Sequence, residues 1–195
     1  MSVKESGSGN TDHRIRPVAR IHTDFPTKFG IPRQSGLTGE LESRIVFEPE
    51  FSNPDAVRGI EEFSHLWLIW EFSENVRDPK KWSPTVRPPR LGGNTRVGVF
   101  ATRSSFRPNS LGLSVVRLKA VETGENGMPV LVVTGADMMD GTPVFDIKPY
   151  IPFADSHPEA KGGFTDQTKE YGLDVRIPEE FLTLLPEEKR APLRT

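Results

Sequence analysis

The chain has 195 residues with a net charge of −2, 35% hydrophobic and 27% charged side chains, and no cysteine. This bounds it to one ordinary globular domain able to bury a core, and it excludes a disulfide framework or a thiolate metal site. His13, His22, His65 and His157 show no metal-ligand spacing, no apolar stretch reaches spanning length, and the first residues lack an apolar signal core. The expectation is a cytoplasmic protein with no metal and no membrane segment.

Residues 1–13 read as a disordered N-terminal tail. Eighteen prolines and seventeen glycines then punctuate the chain, which suits short strands and turns better than long helices. In chain order, strands are predicted at 17–23, 39–47, 65–72, 95–102, 111–121, 129–136 and 142–150, several of them alternating with period two. A helix is predicted at 53–63, with Asn53 as its cap and Pro54 in its first turn, and a second begins at Pro178. Six or seven strands, one early helix and no βαβ rhythm predict a mainly β protein, an antiparallel or mixed barrel. The barrel domain is placed at 14–155. From 156 to 195 the chain becomes polar and irregular, and it is read as a C-terminal arm, a shortened or partial C-terminal domain.

The charge is unevenly placed. Between Arg77 and Arg117 stand nine basic residues against one acid, Asp78. Such a stripe on an acidic protein is an electrostatic footprint for phosphates; a solvated face with ordinary ion pairs would read the same. Within it, "ATRSSFRPNSLGL" (101–113) sets Arg103 and Arg107 four apart in a turn that leads into an apolar strand. "PTKFGIPRQSGL" (26–37) is a turn-rich loop fit to clamp a polar ligand or to be plain surface. "VRPPRLGGN" (86–94) offers Arg87, Arg90 and close backbone amides to an anion. In "GADMMDGTPVFDIKPY" (135–150), alternation sets Asp146 and Lys148 on one strand face, either as a salt bridge or as a positioned acid–base pair. His65 reads as a satisfied core histidine. No glycine-rich dinucleotide fingerprint, P-loop or nucleophile elbow occurs.

"FGIPRQSGL", "IEEFSHLWLIWEF", "RPPRLGGNTRVGVFATRSSFRPNSLGLSVVRL" and "DGTPVFDIKPYIPF", in that order, resemble the TsaA-like or TrmO family of tRNA methyltransferases over residues 17–153. The resemblance implies a single-sheeted β-barrel that binds S-adenosylmethionine and acts as a homodimer. It further implies N6-methylation of threonylcarbamoyl-adenosine beside the tRNA anticodon. By the same resemblance the cofactor contacts fall on Gln34, Ser35, Gly36, Phe72, Ser73, Arg103 and Leu113, and on Asp137, Met138, Met139 and Asp140. The chain departs from the family pattern at Ser35 and Ser110, where proline is usual, and at Ser73, where histidine is frequent.

Arg87, Arg90 and Arg96 are assigned to RNA, and Arg107 to RNA or to the substrate carboxylate, since guanidinium forks suit phosphates and carboxylates; the alternative for Arg107 is packing across the Phe106–Pro108 turn with an acid as partner. A sulfonium methyl is already electrophilic, so alignment and desolvation supply most of the acceleration. The acceptor nitrogen is a poor nucleophile, and Asp146, Lys148 and Tyr150 are the candidates to assist it. Three other readings stay open. They are a non-catalytic RNA- or nucleotide-binding barrel, a methyltransferase for another phosphorylated acceptor, and a structural interaction domain.

Overall fold

Strands that are short, alternating and broken by turns cannot each bury their apolar face alone, so they close on one another. In the computed structural model, which describes residues 13–39, 41–75, 82–167, 175–187 and 190, the strands are β1 (Ala19–His22), β2 (Glu42–Phe47), β3 (His65–Glu71), β4 (Thr85–Val86), β5 (Val97–Gly98), β6 (Leu111–Thr123), β7 (Pro129–Thr134) and β8 (Thr142–Pro149). Six of them form a closed antiparallel barrel in the order β1-β2-β7-β6-β3-β8, and β4 and β5 make a separate two-stranded ladder. Mainly β, a single closed sheet: the expected class holds.

The period-two pattern sets what points inward. On β3, Leu66, Leu68 and Trp70 are buried while His65, Trp67, Ile69 and Glu71 face outward. Ile21, Ile45, Val116, Leu131, Val133 and Val144 complete the interior with them. Two register shifts, at Ile69/Trp70 against β8 and at Leu118/Ala120 against β7, bend the strands as closure requires.

Three expectations are corrected. Residues 95–102 form only a two-residue ladder before a 3-10 turn at Val99–Ala101. There the Thr102 hydroxyl donates to the Val99 carbonyl at 2.9 Å, and a local side-chain bond of this kind competes with a ladder. The predicted helix at 53–63 is two 3-10 turns, Pro54–Val57 and Ile60–Glu62, separated by Gly59 at φ 82°. Its cap is as read, for the Asn53 side chain accepts from the Asp55 amide at 2.9 Å. His65 lies on the outer face of β3, half-buried, with its ring beside the Ser64 hydroxyl at 2.8 Å and the edge of Tyr150. Beyond the barrel come two single-turn helices, α1 (Pro152–Asp155) and α2 (Glu179–Leu182), the latter where Pro178 announced one. No helix among the described residues is long and apolar enough to cross a membrane. The tail at 1–12 and parts of the arm at 156–195 lie outside the described residues.

Candidate active site

A cleft of about 800 Å³ opens at the end of the barrel where β3 runs out and β6 begins, within the size range of small-molecule sites. Four stretches far apart in sequence meet there: the 28–34 loop, the end of β3 with residues 72–75, the 100–114 turn and strand start, and 137–139.

The junction is built by close backbone contact. The Gly36 amide donates to the Gly135 carbonyl at 2.9 Å. Gly135 has φ +80°, and a Cβ there would press on the Gly36 backbone at 3.2 Å, so glycine is required on both counts. This contact sets the 31–37 loop against the 135–140 segment, where the Ser35 amide donates to the Asp137 carboxylate. On the opposite wall, the Phe72 amide donates to the Ser110 carbonyl at 2.8 Å, and the Asn75 side chain donates to the Ser105 hydroxyl at 3.0 Å.

Asp137 is the chemical centre of the cleft. Inside the barrel the Trp70 indole N–H donates to the Ser114 hydroxyl at 3.0 Å, and that hydroxyl donates to Asp137 Oδ1 at 2.6 Å. Burial pushes the Asp137 carboxyl above its ordinary value of 3.8, while the bonds from Ser114 and the Ser35 amide and the charge of Arg103 work the other way. Arg103 donates through Nη1 to Gln34 Oε1 at 2.7 Å. A carboxylate and a guanidinium, both already oriented, thus stand in one cleft beside the apolar Phe72, Leu113 and Met138.

Of the expected cofactor residues, Gln34, Phe72, Ser73, Arg103, Leu113, Asp137, Met138 and Met139 line the cleft. Ser35 and Gly36 shape it through their backbones. Asp140 does not line it. Its carboxylate accepts from the Thr23 amide at 3.1 Å and lies 3.2 Å from His22 Nδ1, tying the segment to the end of β1. Arg107 lines the cleft and donates to the Thr102 carbonyl at 3.1 Å; its charge meets no acid in an ion pair among the described residues. Arg87, Arg90 and Arg96 are exposed outside the cleft, on the same 82–110 excursion. Asp146 and Lys148 form a surface ion pair at 2.9 Å, and Tyr150 packs against Trp67; none of the three lines the cleft. The sequence reading missed Ser114 and Trp70. A serine at an inward position of β6, between Gly112 and Val116 in an otherwise apolar run, was the available signal.

The tRNA-methyltransferase O N-terminal domain matches residues 20–156. The chain belongs to this family. A tRNA (adenine(37)-N6)-methyltransferase of Escherichia coli is 44% identical over 186 residues, 93% of this chain and 77% of that protein. A Pseudomonas aeruginosa protein with a provisional name as an S-adenosylmethionine-dependent methyltransferase is 46% identical over 79% of this chain, which spans 61% of that relative's length. The crystal structure of TrmO from Pseudomonas aeruginosa superposes with a TM-score of 0.64 at 35% identity, covering 83% of this chain and 67% of that one. Family and fold therefore agree with the barrel described above.

Proposed function

We propose that this protein transfers a methyl group from S-adenosylmethionine to N6 of adenine 37 in tRNA, with threonylcarbamoyl-adenosine as the acceptor. The observation that supports the reading is the presence of Asp137 and Arg103 together in one partly apolar cleft. An amino-acid head group carries an ammonium and a carboxylate, and those two side chains have the charges to receive them. Phe72, Leu113 and Met138 offer apolar wall for the nucleoside and exclude water. When bound, the cofactor supplies a sulfonium methyl that is electrophilic without further activation.

The remaining work of the chain is orientation and proton handling. Gln34 fixes the Arg103 fork, and Ser114 with the Ser35 amide fixes Asp137. Arg107, on the same wall, suits the carboxylate of a threonylcarbamoyl group or an RNA phosphate. Of the three residues proposed to assist the acceptor nitrogen, Asp146 is best placed, because its register partner Ile69 lines the cleft. In the same reading the protein is a cytoplasmic homodimer whose second copy covers the open side of the cleft. The barrel domain runs from 14 to 155, and 156–195 is an arm attached to it.

The test has two parts. S-adenosylmethionine and S-adenosylhomocysteine should raise the melting temperature, as any ligand of the native state does. Nucleosides from tRNA incubated with protein and cofactor should then carry one added methyl by mass spectrometry. Absence of both effects refutes the reading. A melt shift without methyl transfer would leave a binding module. Equal transfer to tRNA lacking the threonylcarbamoyl group would remove that group from the specificity.

A further inference from the structure

The 82–110 excursion between β3 and β6 carries five arginines and no acid. Three of those guanidiniums are held by neutral oxygens: Arg96 by the Thr85 hydroxyl at 2.9 Å, Arg103 by Gln34, and Arg107 by the Thr102 carbonyl. Such bonds fix where the charge points without a salt bridge to cancel it, though Arg103 also acts on the nearby Asp137 carboxylate. The excursion also turns large rings outward. Phe100 is 73% exposed and lines the cleft, and Trp82 is 44% exposed, with the two ring centroids 6.1 Å apart and the planes 35° from parallel. Phe100 is held firmly from both sides. Its neighbour Val99 is buried and donates its amide to the Pro84 carbonyl at 2.9 Å, and Thr102 clamps the same turn. A ring so exposed on a pinned turn adds little packing to the fold, while its fixed backbone lowers the entropy lost when something stacks on it.

We propose that Trp82 and Phe100 form a stacking platform for unpaired bases of an RNA loop, leading from the rim into the cleft, with the surrounding arginines taking the phosphates. The proposal rests on the tRNA reading and adds to it the surface that receives the loop. Charge decides the occupant: five guanidiniums interleaved with rings, none in a salt bridge among the described residues, match a single-stranded polyanion with π-faces. Stacking is indifferent to base identity, so the platform accounts for reach and not for sequence choice. The acids of the cleft, Glu71, Glu74 and Asp137, all come from outside the excursion.

The experiment measures binding of the full chain to a synthetic anticodon stem-loop and to a fully paired duplex of the same composition, each at two salt concentrations. The wild type should prefer the stem-loop. Trp82→Ala and Phe100→Leu, the latter keeping apolar bulk, should each weaken stem-loop binding by roughly tenfold, as loss of one stacked base does. Their salt slopes should match the wild type, because no phosphate contact is lost. Trp82→Phe and Phe100→Tyr should keep most of the affinity. Unchanged stem-loop affinity in both ring-removing variants overturns the platform while leaving the tRNA reading intact. A wild type that binds neither RNA overturns both. Variants that bind RNA normally but dissociate a dimer in light scattering would show that the rings meet a second copy, and the platform is again overturned.

Discussion

Gly112 stands opposite Trp70 in the β3–β6 ladder, and a Cβ there would lie 2.3 Å from the indole ring. The ring cannot retreat, because its N–H is committed to Ser114 and its edge to Phe72, whose centroid is 4.3 Å away. Gly112→Ala should therefore cost about 1–3 kcal/mol by overpacking, seen as a melting temperature lower by roughly 3–10 °C. Gly98→Ala is the control: a Cβ there meets nothing within 4 Å and its φ is ordinary, so the melt should barely move. Arg103 and Arg107 separate in the same way. Arg103→Ala should weaken S-adenosylhomocysteine binding by roughly 10- to 100-fold, the worth of a charge-assisted pair. Arg107→Ala should keep the melt shift and instead flatten the salt dependence of tRNA binding by about one unit of slope. The reverse pattern in titration calorimetry would exchange the two roles.

Asp137 gives the residue scale its pH signature. Its carboxyl is raised above 3.8 by burial, so the folded state holds that proton more tightly than the unfolded chain does. The stabilisation from the bound proton is present below 3.8 and is lost as the pH rises through the raised value. Asp137→Asn removes this titration. The stability of the variant relative to the wild type should climb as the pH is raised from below 3.8 and level off once the carboxyl is ionised. Denaturant unfolding at a series of pH values measures it, and a flat difference would show that Asp137 is not desolvated in the folded protein.

At the scale of elements, the outer face of β8 carries charge where the inner face carries packing. Asp146 and Lys148 are two apart and pair directly, while Ile147 between them packs on the core. An exposed pair of this kind is worth under about 1 kcal/mol, so Asp146→Ala should leave the melt nearly unchanged. The same variant decides the assisting role: a lower kcat with unaltered KM in the methylation assay would support it, and unaltered kcat would reduce the pair to a surface bridge. Much of this layer was legible in sequence, since β3, β6, β7 and β8 carry strong alternation or apolar runs. The 95–102 segment was not. Its composition is strand-like, but Val99 is drawn into a 3-10 turn by Thr102 and by the carbonyl of Pro84, and neither contact leaves a periodic trace.

For the whole molecule, the cleft is open on one side, and Leu113 on its lining is 54% exposed. A two-fold partner could cover that side with its own copy of the same surface. Light scattering should give a mass near twice 21.8 kDa; a monomer that binds the cofactor at full strength would show that one barrel suffices. The amino-acid order alone determined the barrel class, because strand length, alternation and turn chemistry are local, and it determined the family, because four motif blocks keep their order. It also marked the arginine-rich excursion, since charge density is read by counting. Only the tertiary structure decided which marked residues share a site. Closure of β1 against β8 and the Gly36–Gly135 contact bring Gln34 to Arg103 and Ser35 to Asp137, while the outward turn of β8 leaves Asp146, Lys148 and Tyr150 beyond the cleft wall. Those separations are set by register and bulges, which arise from packing across strands and not from any one segment.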